Sequence, residues 1–414
     1  MKLTCFVEKP MKILILCNKP PYPPRDGGAI GIFNLSKSMA SLGHDVHILA
    51  MNTSKHRVDP SNLPNLPHYS ITYVDINTDI TPIKAFKNLV FSKLPYLAER
   101  FISLDYVNAL KKILSQNTYD FIQFEGPYLW YCIDTIREMT KTKISMKNHN
   151  IEYEIWHRAA QIEKNLLKKL YLYHLENRLE KFENSLYNRF DYIYAVTPRD
   201  KEMFIKKFGV KKPIIIVPTG IDIPKSDFVL NPDNNSIFHL GALEWMPNQQ
   251  GLLWFIDKVW PMIVLKYPDL KFHIAGRNAP SWLVKHFNKP NIIYHGEIED
   301  AYSFICNSGI MIVPILSGGG MRVKIVEGMA LGKPIVSTSI GAEGLDVKDG
   351  EDILIADTAY LFAAKICELV ENKELAKKLS MNAHKNSIEK YDNISIARKV
   401  IDFYVESATN DKNN

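Results

Sequence analysis

Gly318-Gly319-Gly320-Met321-Arg322-Val323-Lys324-Ile325-Val326-Glu327 sets three glycines, two cations and a carboxylate in an apolar frame. Upstream, Gly309-Ile310-Met311-Ile312-Val313-Pro314 has the character of a buried strand. Downstream, Val323, Val326 and Ala330 share one helical face until Gly332-Lys333-Pro334 stops it. The glycines therefore lie at a strand-to-helix turn. A helix N-terminus offers unpaired N–H groups and positive dipole potential, and glycines remove the side chains that would keep a phosphate from the backbone. Arg322 and Lys324 oppose the helix dipole in a first turn unless a bound anion outweighs it, as a diphosphate would. Glu327 stands about 9–10 Å along the helix from the glycines at ~1.5 Å rise per residue, a separation that suits a nucleoside ribose. A glycine-rich surface loop before an ordinary amphipathic helix, with Glu327 solvated, explains the turn but not the two cations.

Composition points to two domains of about 200 residues each. The chain has 414 residues, 46% apolar and 23% charged, which is ordinary globular usage. A formal charge of +6 is modest, and no Lys/Arg run is dense enough for a nucleic-acid tail. It leans toward anionic ligands or lipid surfaces. The five cysteines are odd in number, widely spaced and form no C-x-x-C pair, which fits a cytoplasmic location. Residues 1–10 lack the layout of a signal peptide and read as an N-terminal extension. Met11-Lys12-Ile13-Leu14-Ile15-Leu16 runs straight into a strand, so the start is either Met1 or Met11. No apolar run approaches the roughly 18–20 residues that span a bilayer.

Along the chain, strands alternate with helices. Lys12 to Cys17 is a strand, Phe33 to Leu42 a helix closed by Gly43, and Asp45 to Ala50 the next strand. Ile71 to Val74, Phe121 to Phe124, Ile144 to Met146 and Tyr192 to Val196 continue the first half. Ile214 to Val217, Ser236 to Leu240, Lys271 to Ala275, Ile292 to Tyr294, Ile310 to Pro314, Ile335 to Thr338 and Ile353 to Ile355 make up the second, with the boundary near Gly209 to Pro213. The expected fold class is α/β, with parallel sheets covered on both faces.

The run from Gly318 to Thr338, with Glu327-Gly328-Met329-Ala330-Leu331-Gly332-Lys333-Pro334-Ile335-Val336-Ser337-Thr338 after the turn, resembles the nucleotide-sugar motif of the GT-B glycosyltransferases of family 4. The resemblance covers most of Met11 to Val405. It implies two Rossmann-like domains facing a central cleft: an acceptor-side domain over 11–212, a nucleotide-sugar-binding domain over 213–390, and a helix over 391–408 that returns to the first domain. It implies a nucleotide-sugar donor, a glycan or lipid-linked acceptor, retention of anomeric configuration and no cofactor. Glu327 matches the second of two family glutamates separated by seven residues, the one that binds the ribose hydroxyls. The first falls at Gly319, which resembles a sub-branch with a Gly-Gly-Gly-x-Arg-x-Lys turn. Gly318, Gly319, Gly320 and Met321 would then cradle the diphosphate, with Arg322 and Lys324 as its cations.

Other segments carry the same resemblance. Pro20-Pro21-Tyr22-Pro23-Pro24-Arg25-Asp26-Gly27-Gly28 is similar to the first glycine-rich loop, leading into a helix near Ala29. It makes Gly27 and Gly28 substrate-binding candidates, against the plainer reading of a rigid surface turn. His149, in Lys147-Asn148-His149-Asn150-Ile151-Glu152, resembles the histidine that meets the transferred sugar, although a loop histidine capping the next helix has the same pattern. Asn150 and Glu152 equally suit a helix N-terminus. Val217-Pro218-Thr219-Gly220-Ile221-Asp222 is similar to a family turn and is taken as structural. The loop Gly241 to Asn248 carries Glu244 where relatives carry cations. Asn248 is a polar contact candidate there, and Arg277 a further cation.

A dinucleotide enzyme is discounted: Gly27-Gly28-Ala29-Ile30-Gly31 is not G-x-G-x-x-G, and Met51-Asn52-Thr53 offers no acid for a ribose. No D-x-D or H-E-x-x-H spacing suggests a metal, so leaving-group charge is assigned to Arg322, Lys324 and helix N–H groups. Pro82 to Tyr96 interleaves apolar and basic residues, which suits either an anionic bilayer surface or a helix with its apolar face turned inward. Two other functions remain open: another GT-B enzyme such as a UDP-sugar 2-epimerase, and a non-catalytic nucleotide-sugar-binding subunit.

Overall fold

The computed structural model describes residues 10–24, 26–61, 63, 65–163, 165–223, 236–318 and 320–410. Gly319 and residues 1–9 of the expected extension lie outside them. The chain divides into two compact units, one of residues up to Gly220 together with those from Asn393, the other Ile221–Asp392.

The first unit is built on seven parallel strands: β1 (Lys12–Cys17), β2 (Asp45–Thr53), β3 (Tyr69–Ile76), β4 (Phe121–Glu125), β5 (Lys143–Asn148), β6 (Tyr192–Ala195) and β7 (Ile214–Ile216). Their order is β3-β2-β1-β4-β5-β6-β7. Parallel strands need helical crossovers, and those helices cover both faces, so the strands carry continuous apolar runs. In β1, Leu14 and Leu16 enter one core layer with Phe124 and Met146. Ile13, Ile15 and Cys17 enter the other with Ile48 and Tyr404. The last helix, Asn393–Asn410, packs on the helix Gly27–Ser41. It sends Tyr404 into the core, stacked on Phe121 with ring centroids 3.7 Å apart.

The second unit has six parallel strands: β8 (Ser236–Leu240), β9 (Lys271–Ala275), β10 (Ile292–Tyr294), β11 (Ile310–Val313), β12 (Ile335–Ser337) and β13 (Leu354–Ile355), ordered β10-β9-β8-β11-β12-β13. In both sheets the order reverses at the first strand of the unit. β1 lies between β2 and β4, and β8 between β9 and β11. Ligand sites of open parallel sheets lie beyond the carboxyl ends of the strands at such a reversal.

Several boundaries differ from the sequence reading. Ile214–Ile216 pairs with β6 and completes the first sheet rather than opening the second. The break between units consequently falls after Gly220. β2 continues through Asn52 and Thr53, because Asn52 is buried and donates to Asp75 Oδ1 at 2.7 Å. The first helix begins at Gly27, capped by Asp26. The helix Pro82–Phe91 does not turn its apolar face inward: its one buried residue is Asn88.

Candidate functional site

The second unit gathers most of the candidate residues beyond β8 and β11. After β11 the chain turns with φ of +113° at Gly318 and +78° at Gly320, left-handed values that glycine adopts without strain. Arg322 is the N-cap of the helix Val323–Ala330, not a member of its first turn, and is 5% exposed. Its Nη1 donates to the Gly320 carbonyl at 2.6 Å, and the guanidinium lies 5.2 Å from the centre of the Trp245 ring. Ile325, Val326, Met329 and Ala330 anchor the helix in the core.

Lys324 Nζ donates to Asn248 Oδ1 at 2.8 Å, and Asn248 Nδ2 donates to the Ala242 carbonyl at 2.8 Å. The loop after β8 and the helix after β11 are thereby tied together. A Cβ at Gly241 would stand 2.8 Å from Lys324 Nζ and 3.0 Å from Asn248 Nδ2, so any side chain there would displace this pair. Burial, reinforced by the Arg322 cation, brings the Lys324 ammonium down to about 7. Burial likewise pushes the Glu327 carboxyl up to about 7, against the pull of Lys324. Lys324 is thus not the permanent cation that its residue type suggests. Arg277, offered above as a spare cation, has its Nε 3.2 Å from Glu244 in the same loop region. Met321 packs against the core beneath the turn.

His239 on β8 was missed by the sequence reading. Its ring is fully buried and Nδ1 donates to the Ile312 carbonyl at 3.3 Å. Burial, then the Lys324 charge, holds it neutral, well below the usual imidazole range. A single histidine in an apolar strand carries no signal that a lysine 85 positions on will lie beside it.

In the first unit, His149 follows β5 directly. Its Nε2 lies 2.6 Å from Oε2 of Glu125, the last residue of β4, which is 3% exposed. Glu125 also accepts from Gln123 Nε2, and Gln123 Oε1 accepts the Tyr404 hydroxyl at 2.9 Å. The neighbouring Lys147 pairs in register with Glu125 and is fully buried. Burial lowers its pKa while Glu125 raises it. Its Nζ has no hydrogen-bond partner among the described residues. Glu125 is the residue that could have been found, since an acid directly after the apolar run Phe121 to Phe124 is a strand-end carboxylate.

Gly27 and Gly28 form the start of the first helix. The Asp26 carboxylate accepts from Ala29 N at 2.9 Å and from Lys19 Nζ at 2.6 Å. Burial alone would raise this carboxyl, but Lys19 and the helix N–H hold it below its usual value. A Cβ on Gly31 would meet Thr219 Oγ1 at 3.1 Å and His149 Cε1 at 3.6 Å, so this helix passes close to both. The helix Glu152–Ile162 is capped by neither Asn150 nor His149. Glu183 accepts from Glu152 N at 3.0 Å and from Tyr153 N at 2.9 Å. The structure thus places Arg322 on the Gly320 carbonyl and Lys324 on Asn248, with Glu327 near it, in one unit, and His149 close to the first helix in the other. Among the described residues, no group of three His, Cys, Asp or Glu side chains could hold a metal ion.

Comparison with known proteins bears on the family and the fold. Residues 25–225 match the model described as Glycosyltransferase Family 4, and residues 234–372 match Glycosyl transferases group 1. An uncharacterised 44.6 kDa protein of the cps region of Klebsiella pneumoniae is 27% identical over 403 residues, covering 92% of this chain and 96% of its own. An uncharacterised glycosyltransferase of Methanocaldococcus jannaschii is 29% identical over 215 residues, 48% of this chain and 58% of its own. Among solved structures, sucrose-phosphate synthase of Thermosynechococcus elongatus superposes with a TM-score of 0.70 at 16% identity, covering 96% of this chain and 99% of that one. Anabaena HepE in complex with UDP gives 0.66 at 14% identity, with 96% and 100% covered. The two family models account between them for most of the sequence, and the chain belongs to the GT-B glycosyltransferases of the group 1, family 4 type.

Proposed function

We propose that this glycosyltransferase moves a sugar from a nucleoside diphosphate sugar to a glycan or lipid-linked acceptor in the cytoplasm, with retention and without a divalent ion. The observation that carries the reading is the turn after β11, where Arg322, Lys324 and Glu327 converge at the strand-order reversal of the second sheet. Gly318 to Met321 and the first N–H groups of the helix Val323–Ala330 hold the diphosphate. Arg322 and Lys324 meet the charge that grows on the leaving group, and Glu327 takes the ribose hydroxyls. Asn248 fixes Lys324, and Arg277 is a secondary cation. His149, oriented by Glu125, donates to a sugar hydroxyl, while the helix start at Gly27 and Gly28 serves the substrate from the first unit. Related structures support a nucleotide-sugar donor: Anabaena HepE has been solved with UDP, with UDP and glucose, and with UDP-glucose. In the retaining scheme the acceptor hydroxyl attacks from the leaving-group face, and the departing phosphate oxygen takes its proton.

A panel of UDP-, GDP- and ADP-sugars, incubated with the protein in EDTA, tests this. Slow release of free sugar from one donor is expected. Interconversion without release would make the chain an epimerase, and binding without turnover a sensor. Activity that requires readdition of magnesium or manganese would overturn the assignment of the leaving-group charge to side chains.

A further inference from the structure

The helix Pro82–Phe91 is built the wrong way round for a surface helix, which normally buries an apolar stripe and exposes its polar residues. Here the buried residue is polar. Asn88 Nδ2 donates to the Leu94 carbonyl at 3.0 Å and to Glu99 Oε2 at 2.8 Å. The apolar side chains point to solvent: Ile83 is 71% exposed, Phe86 64% and Phe91 84%. Leaving such groups in water forfeits the burial that stabilises most helices of this length.

The position is nevertheless fixed. Arg178, from the helix Leu166–Leu186, donates through Nη2 to the carbonyls of Asn88 at 3.3 Å and Ser92 at 2.6 Å, and also to that of Leu94. Tyr171 lies two turns before Arg178 on the same face, near enough to act on its charge. Leu167, 80% exposed, and Leu170 continue that side of the helix toward its N-terminus. Arg178 thus ties together two helices that each carry exposed apolar residues.

Within the segment itself the charges have one sign. No Asp or Glu occurs between Ile80 and Ala98, whereas Lys84, Lys87 and Lys93 are all exposed. The neighbouring acids are engaged within the protein: Asp79 with Ser54, Glu99 with Asn88 and Ser92, Glu176 with His157, Glu180 with Lys207. Among the described residues no helix is long and apolar enough to cross a membrane. We infer that this surface docks on an anionic lipid bilayer, with Ile83, Phe86, Val90 and Phe91 entering the headgroup boundary and the three lysines meeting anionic headgroups. The inference does not depend on the transfer reaction.

Co-sedimentation of the full chain with vesicles tests it, using phosphatidylcholine alone and phosphatidylcholine mixed with phosphatidylglycerol. The protein is expected to pellet with the mixed vesicles only, and less so as salt rises. A Phe86→Ser, Phe91→Ser variant, with an unchanged melting temperature because both rings are exposed, should lose binding by about tenfold or more. Lys84→Glu, Lys87→Glu, Lys93→Glu should lose about a hundredfold. A wild-type chain that stays in the supernatant, or pellets equally with both vesicles, overturns the proposal. So does concentration-dependent dimerisation that the Phe86→Ser, Phe91→Ser variant abolishes, since the occupant would then be a second copy.

Discussion

At the carboxyl end of β4, Glu125 is buried and hydrogen-bonded to His149, 2.6 Å away, and to Gln123. At the carboxyl end of β11, Lys324 and Glu327 stand one helical turn apart, and burial drives both toward neutrality near pH 7. The first arrangement fixes a ring in place. The second leaves charge undecided until something else arrives. On the proposed function, a diphosphate beside Lys324 would favour its charged form, so binding would draw a proton onto the site and strengthen the contact.

The largest effect is expected from Glu327→Ala, which removes the acceptor for the ribose hydroxyls. Nucleoside diphosphate binding should weaken by about 2–4 kcal/mol in calorimetry, the scale of losing charged hydrogen bonds in a closed site. Unchanged affinity would remove Glu327 from the donor site and with it the contrast drawn above.

Next comes Arg322→Gln with Lys324→Gln. Leaving-group charge grows as the glycosidic bond breaks, so turnover should fall by about 10²-fold or more while donor affinity falls less. Near-normal kcat would move the assignment to Arg277, after release from Glu244.

The other side of the comparison is sharpened by Glu125→Gln, which keeps a hydrogen-bonding group beside His149 but removes the carboxylate. A loss of about tenfold in kcat with little change in donor KM is expected, together with an altered pH–rate profile, because a carboxylate partner fixes both ring orientation and protonation. A variant that changes melting temperature and leaves the profile intact would make Glu125 purely structural.

The last test concerns stability. Between about pH 7 and the ordinary lysine range, the unfolded chain holds a proton at Lys324 that the folded chain has released. Stability from this group therefore rises with pH across that window, by as much as ~1.4 kcal/mol per pH unit. Lys324→Met should flatten that slope in denaturant titrations at a series of pH values. An identical slope in the variant would show that Lys324 keeps its proton in the fold.

Apolar runs made the two α/β units legible in the sequence: Ser236–Leu240, Lys271–Ala275 and Ile292–Tyr294 fall where their composition puts them. Buried polar residues hid the rest. Asn52 and Thr53 look like a loop until Asp75 supplies the partner that lets β2 continue. Glu125 closes β4 one residue beyond its apolar run, and Lys147 and Asn148 carry β5 two residues beyond its own. The cations at 322 and 324 were visible by type and spacing, but not what burial and the neighbouring Arg322 do to Lys324. The helix Pro82–Phe91 shows the same limit from the other side. Its periodicity is compatible with either face inward, and only Asn88, gripped by Glu99 and Leu94, decides which.

Hydrogen exchange of the full chain with and without UDP, in EDTA, tests most directly whether the turn after β11 is the diphosphate site. The account predicts that protection appears in peptides covering 316–328, where backbone N–H groups would bond to the phosphates. Saturating UDP that slows exchange elsewhere and leaves 316–328 unchanged would contradict it.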